Sequence, residues 1–194
     1  MIKAKFQIEA VSPGAMLREE KKAGTPLGIE ADKLTSQGQL VPDRIIVGLV
    51  ESWLQNHNGA FVFDGFPRTI GQAEALTNLL EKRKTPLDDA IFLDASLETI
   101  RERVARRMVC ESCGNIAAIG LHIASAETVC LRCGGHFSKR NDDNEETLCQ
   151  RMVEYREKSE PLVAYYTSHN LLANIDANRT PWEVFSDIAA VLEK

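Results

Sequence analysis

The sequence predicts an α/β protein built on a parallel sheet, and three observations carry that expectation. The runs Ala60-Phe61-Val62-Phe63 and Ala90-Ile91-Phe92-Leu93-Asp94 are apolar on both faces, as strands buried in a parallel sheet are. Stretches with helical apolar spacing alternate with them, which is the order of β-α-β units. The 194 residues, 44% of them hydrophobic, suffice for one domain with a sizeable core and a small insertion.

Taken in order, Phe6-Gln7-Ile8-Glu9-Ala10-Val11 alternates apolar and polar and predicts a short strand. Ser12 is placed to cap a helix that has Pro13 at its first position and runs through Met16–Glu20. Gly24-Thr25-Pro26 breaks it, and a second helix covers about 27–36. Pro42-Asp43 opens a third, whose Ile45, Ile46, Leu49, Val50, Trp53 and Leu54 keep helical spacing until Asn56-His57-Asn58-Gly59. A helix over about 69–82 follows the first buried strand. After the second, Ser96 with Glu98 opens a helix running to the first cysteine pair. Asn144 to about Tyr166 reads as one long helix, Leu171–Ile175 as a last strand, and Thr180-Pro181 as the cap of a closing helix.

Lys plus Arg total 23 against 28 Asp plus Glu, a net charge of −5. That balance argues against bulk affinity for nucleic acid or anionic lipid. No run approaches the roughly 18 apolar residues of a membrane span, and Met1–Phe6 lacks a signal peptide's apolar stretch. A cytoplasmic protein without membrane or nucleic-acid partners is expected.

Cys110, Cys113, Cys130 and Cys133 form C-x2-C, a spacer of 16 residues, then C-x2-C. Two residues between sulfurs let a tight turn aim both thiolates at one ion, and two such knuckles supply the four tetrahedral ligands of a structural Zn2+. Two disulfides or four unrelated thiols are the alternative, which a reducing cytosol disfavours. Four sulfur ligands leave no open position, so the metal would be structural. Cys149 lies outside the pattern and reads as a spare thiol. The basic residues around the quartet are followed at once by Asp142, Asp143, Glu145 and Glu146, which does not suit a nucleic-acid face.

Asp64 stands at the C-terminal end of a buried strand, where open parallel sheets build their ligand crevice. A carboxylate there suits a water of Mg2+, and Arg68 can fork onto a phosphate; capping of the next turn is the plainer role for Asp64. Arg103 and Arg107 share one helical face, and Arg140-Asn141-Asp142-Asp143, Arg151 and Arg18 complete a set of arginines from five segments. Singly, each fits a solvated face. Together, in an acidic chain, they point to polyphosphate, which a planar guanidinium matches at two oxygens.

The stretch Asp64-Gly65-Phe66-Pro67-Arg68-Thr69 with Gln72, joined by Gly38–Asp43, Lys22–Gly28, Arg140–Thr147 and Arg151, resembles the adenylate kinase family of nucleoside monophosphate kinases. The resemblance is nearly collinear from Phe6 to Lys194, and the cysteine quartet is similar to the zinc-stapled lid of bacterial members. It implies a single domain over 1–194, a P-loop-kinase-like parallel-sheet core, an AMP-binding helical segment over 12–41 and a zinc-binding lid over 109–147. It also implies reversible phosphoryl transfer between ATP and AMP giving two ADP, with Mg2+ alongside ATP, by a monomer. Arg18 and Arg68 would clamp the AMP phosphate, Gln39, Leu40 and Val41 would line the site with Gly65, Phe66 and Pro67, and Gln72 would read adenine. Arg103 and Arg107 would touch ATP phosphates, and Arg140 and Arg151 would reach in from the lid's other arm as AMP-binding and catalytic residues. Asp64 would organise Mg2+ through water, and Asp142 and Asp143 would position the lid. Ile116, Ala117 and Arg179 fall where the family's backbone packs against the ATP adenine.

Three departures from the family pattern stand out. Ser12-Pro13-Gly14-Ala15 replaces Ser-Thr-Gly-Asp, removing a hydroxyl, a backbone amide and a carboxylate beside the AMP site. Met108 stands where a second arginine is usual, with Arg106 next door. No G-x-x-x-x-G-K-[ST] loop, nor any Gly-Lys dipeptide, occurs in the 194 residues. In the resembled fold that loop follows the central strand, so its absence predicts unpaired ladder groups on two neighbouring strands and weak ATP binding. A start placed too far downstream is one explanation, favoured by the retained arginines. A loop-less, catalytically weak nucleotide-binding or regulatory module is the other.

Overall fold

The computed structural model describes residues 1–37, 40–140 and 142–193. The first elements in chain order are α1 (Ile2–Phe6), β1 (Glu9–Val11), α2 (Pro13–Lys22), α3 (Pro26–Thr35), α4 (Asp43–Gln55), β2 (Phe61–Phe63), α5 (Ile70–Arg83) and β3 (Ala90–Asp94). Then come α6 (Leu97–Arg106), β4 (Arg107–Cys110), β5 (Ile116–Ala118), β6 (Phe137–Ser138) and α7 (Glu145–Glu154). A π-helical turn over Tyr155–Ser159, α8 (Pro161–Ser168), β7 (Leu172–Asp176) and α9 (Pro181–Leu192) complete the chain. Residues 1–94 with 150–194 form one compact unit, and 95–149 a second.

In the first unit β1 pairs in parallel with β2, and β3 in parallel with β7, as the βαβ alternation predicts. The Glu9 amide donates to the Ala60 carbonyl at 3.1 Å and the Asp64 amide to that of Val11 at 2.8 Å. Peptide groups alternate in direction along a parallel ladder, so those of Phe61 and Phe63 face away from β1. The Ala90 amide donates to Leu171 and that of Ala177 to Asp94, so the Ile91 and Leu93 peptides face away from β7. No strand among the described residues pairs with either outer edge. Both strands were expected to be fully buried, yet Phe61, Val62, Phe63, Ile91 and Phe92 are only half-buried. Each lies at the margin of a two-stranded ladder, where neither face is completely covered.

Apolar side chains on α4 and α5 (Val50, Leu54, Leu76 and Leu80) close on Phe66 to form one core cluster. Leu17, Ala31 and Val41 form another beneath α2 and α3, and Ala73, Leu162 and Tyr166 a third between α5 and α8. Helices α2 and α3 approach closely: a Cβ on Gly28 would lie 2.2 Å from the Glu20 backbone, so only glycine fits. Arg83 donates to the Leu54 and His57 carbonyls at 2.6 Å each, satisfying the end of α4.

Three local expectations are corrected. Ile2–Phe6 is a turn and a half of helix, and Gln7 takes a left-handed conformation (φ 56°), so the strand begins only at Glu9. Ser12 precedes α2 in extended conformation, but its side chain makes no capping bond. The helix expected from Asn144 to Tyr166 is divided at residues 155–159. Pro161 has no amide to return to the Glu157 carbonyl and its ring crowds that carbonyl, while the Glu160 amide closes a wider ring onto Tyr155 at 2.8 Å.

In the second unit, β4 is the middle strand of an antiparallel sheet with β5 and β6, packed on Met108, Cys110, Ala117, Ile123, Cys130 and Phe137. Ser96 caps α6, accepting from the Thr99 amide at 3.2 Å. No helix among the described residues is long and apolar enough to cross a membrane.

Candidate functional site

Strand β2 ends at Phe63 and delivers Asp64, exposed, at its C-terminal end. Gly65 then turns the chain with φ 72°, a conformation that side chains with a Cβ rarely take. The Arg68 Nε donates to the Gly65 carbonyl at 2.8 Å, and a Cβ on Gly65 would sit 3.0 Å from Arg68 Nη2. Phe66 is buried in the core and anchors the loop from inside.

The rest of the loop is tied to three elements. The Arg68 amide donates to Gln72 Oε1 at 2.8 Å, and Gln72 Nε2 donates to Asp43 Oδ1 at 2.7 Å. The Thr69 hydroxyl donates to Asp43 Oδ2 at 2.6 Å while accepting from the Gln72 amide, which caps α5. The Ser159 hydroxyl donates to the Arg68 carbonyl at 2.8 Å. Gln72 is 2% exposed, with both ends of its amide engaged inside the protein.

Surrounding protein lowers the pKa of the Arg68 guanidinium first; the nearby positive charge of Arg151 lowers it further, and Asp64 opposes them. Arg68 is nevertheless exposed at the surface, so its planar guanidinium is open to an anion from solvent. Arg18 lies exposed on α2, its guanidinium 3.5 Å from where a Cβ on Gly14 would be. Val41 is buried in the cluster with Leu17 and Ala31, and Leu40 and Pro67 are half-buried. Gln39 and Asn141 lie outside the described residues. Arg179 is ion-paired to Asp187 and Asp176 at the start of α9, where Thr180 and Glu183 form a reciprocal capping box.

In the second unit the four cysteine sulfurs lie within 4.8 Å of one another and none is in a disulfide. Cys110 and Cys133 Sγ are 3.4 Å apart, and Cys113 and Cys130 Sγ 3.7 Å. Tetrahedral coordination at about 2.3 Å places sulfurs about 3.8 Å apart, so this quartet fits one metal ion. Gly114 and Gly134 have φ 69° and 74°, and their amides return to the Cys110 and Cys130 carbonyls, building two matching knuckles. Gly135 is also demanded, since a Cβ there would lie 3.0 Å from Cys110 Sγ. The Cys110 thiol is drawn down to about 6, first by the Cys113 amide. At Cys133 the Gly135 amide pulls the thiol down, but the neighbouring sulfurs and burial outweigh it and raise it to about 12.

Beyond the knuckles, Arg107 donates to Asp143 from Nε at 2.8 Å and also from Nη2, and Arg140 donates to Asp142 at 2.9 and 2.5 Å. Burial lowers the Arg107 pKa, but the bond to Asp143 dominates and raises it. Arg103 is exposed on α6, Ile116 is exposed on β5, and Ala117 beside it is buried against β4.

Of the residues that sequence reasoning assigned to one site, Asp64 and Arg68 stand on the same loop after β2, and the charges of Asp64 and Arg151 both act on Arg68. Sequence reasoning missed Asp43 and Ser159 as partners of the loop. Asp43 stood out as a helix opener and as the last residue of the Gly38–Asp43 stretch, without a partner assigned, and Ser159 carried no motif.

The adenylate kinase family model matches residues 1–171. Over 192 residues the chain is 38% identical to an adenylate kinase of Thermodesulfovibrio yellowstonii, covering 98% of this chain and 89% of the relative. An adenylate kinase of Clostridium tetani is 37% identical over 99% of this chain and 90% of its own length. That of Methanothrix thermoacetophila is also 37% identical, over 100% of this chain and 91% of the relative. The strand-end loop with its arginine and the knuckled second unit thus stand in a chain that belongs to the adenylate kinase family of phosphotransferases.

Proposed function

We propose that this chain serves reversible phosphoryl transfer between ATP and AMP, giving two ADP, as a cytoplasmic monomer that does not engage nucleic acid. The observation that carries this is the strand-end loop after β2, which presents the exposed Asp64 and Arg68 together where parallel sheets bind ligands, in a chain of the adenylate kinase family. A nucleotide phosphate is the anion that Arg68 receives, and Arg18 adds a further donor from α2. Leu40, Val41, Gly65, Phe66 and Pro67 line the monophosphate side with Gln39. Arg103 and Arg107 serve the triphosphate, with Ile116, Ala117 and Arg179 beside its base, and Arg140 and Arg151 serve the monophosphate and the transfer.

Transfer of this kind spreads negative charge over the equatorial oxygens, so the arginines act by position and charge, without a covalent intermediate. When bound, Mg2+ neutralises charge on the triphosphate oxygens; an exposed strand-end carboxylate such as Asp64 suits an ion that keeps most of its water. Zn2+ in the four-cysteine site would stiffen residues 109–147 as a lid, with Asp142 and Asp143 holding its arginines in place. Gln72 serves the site through the Arg68 amide, and reading a base with it would require release from Asp43.

Calorimetric titration of AMP into the intact chain tests this, with Arg68→Ala expected to weaken binding at least about tenfold, the loss of one charge-assisted contact. A chain with no affinity for AMP overturns the proposal. AMP binding without ADP formation from ATP plus AMP would favour a nucleotide-binding module, the reading that the lack of any Gly-Lys dipeptide supports.

A further inference from the structure

We infer that Ser159 and Asp43 are positioning residues for Arg68, acting on the two ends of its main chain. The Arg68 carbonyl accepts from the Ser159 hydroxyl at 2.8 Å, and its amide donates to Gln72 Oε1 at 2.8 Å. Gln72 is in turn held by Asp43, which accepts from Nε2 at 2.7 Å and from the Thr69 hydroxyl at 2.6 Å.

The chemistry of these partners makes the arrangement one-directional. A carboxylate only accepts, so Asp43 compels the NH2 end of Gln72 to face it and the carbonyl end to face the Arg68 amide. With Gln72 2% exposed, a flipped amide would leave a buried donor opposite a donor and a buried carbonyl opposite a carboxylate. Asp43 also opens α4, so the loop is referred to a helix that packs on α5 through Val50, Leu54, Leu76 and Leu80. A Cβ on Gly71 would lie 3.3 Å from Asp43 Oδ2, which shows how tightly the carboxylate sits against the first turn of α5.

Ser159 reaches the other end because of the π turn. The Glu160 amide returns to Tyr155, one residue further than in an α-helix, and each residue added to a turn rotates the downstream helix by about 100°. Such turns are rare and cluster at functional sites. Here the turn supplies a side-chain hydrogen bond to the Arg68 carbonyl. Fixing both ends of one residue limits where its guanidinium can go.

This rests on the proposed function for its nucleotide, so two measurements are paired on the intact chain. AMP affinity is determined for the wild type, Ser159→Ala, Ser159→Thr and Asp43→Ala, after circular dichroism confirms that each is folded. Ser159→Ala and Asp43→Ala are expected to weaken AMP binding by about 5- to 30-fold, and Ser159→Thr, which keeps the hydroxyl, to restore it. Amide hydrogen exchange at Arg68 and Gln72 is followed without nucleotide, and both alanine variants are expected to speed exchange at Arg68 by at least about fivefold while β7 keeps its protection. Unchanged exchange at Arg68 overturns the inference, whatever happens to AMP. Unchanged AMP affinity in folded alanine variants of a chain that binds AMP also overturns it. Faster exchange in a chain that binds no AMP at all keeps the anchoring and overturns the proposed function instead.

Discussion

The Arg107 guanidinium grips the Asp143 carboxylate at two points, Nε to Oδ2 at 2.8 Å and Nη2 to Oδ1, and the Asp143 side chain is only 1% exposed. The Arg107 side chain stays about a quarter exposed, so the pair lies mostly within the protein. Such a pair is costly to break from the buried side, because the carboxylate has already been desolvated. The neighbouring Arg140–Asp142 pair has a more accessible acid, 17% exposed.

Asp143→Asn is therefore expected to destabilise the second unit by about 1–3 kcal/mol, since it keeps the shape but loses the charge and sets an NH2 donor against one of the two Arg107 donors. Asp142→Asn should cost less, because water can stand in for part of its bond. Urea unfolding followed by hydrogen exchange within residues 95–149 checks both values. Equal stability of Asp143→Asn and the wild type would show that the ion pair contributes nothing.

The cysteine geometry predicts one zinc per chain on elemental analysis of purified protein, as four sulfur ligands around one ion require. Chelation, or Cys133→Ser, should lower the melting temperature of the second unit by at least about 10 °C, because metal binding and folding of such knuckles are coupled. A metal-free protein with unchanged melting would contradict it.

Tyr166 packs with Ala73 and Leu162, and burial, with a smaller push from Tyr165, raises its phenol to about 12. In the unfolded chain the same group titrates near 10. An acid whose pKa is raised by folding contributes its stability fully below the unfolded value, and loses it as pH rises from about 10 to about 12. Between those limits the wild type should lose stability faster than Tyr166→Phe. Parallel slopes of unfolding free energy against pH for the two proteins would rule this out.

Much of the fold was legible in local chemistry. Thr25, Thr69, Ser96 and Thr180 each accept a backbone hydrogen bond at the start of the helix they announce. The strand at 90–94 and the helices opened by Pro26, Asp43 and Pro181 fall within a residue or two of where the pattern puts them. The π turn was not legible from apolar spacing, because both flanking helices keep a helical pattern; the signal was Pro161, which cannot complete an α-helical bond to Glu157. The antiparallel sheet of the second unit was missed because its strands are two to four residues long, too short for alternation to register.

The family, the metal-ligand quartet and the elements are written in the chain itself, since each is encoded within a few neighbouring residues: a cap, a breaker, a C-x2-C spacing, a six-residue loop. It took the folded core to turn the Gln72 amide toward Asp43, 29 positions away, and to set Ser159 on the carbonyl of Arg68, 91 positions away. Those pairings depend on how α4, α5 and the π turn pack, and packing is set by the whole core at once. A hydroxyl or carboxylate in isolation carries no mark of the partner that the core will bring to it.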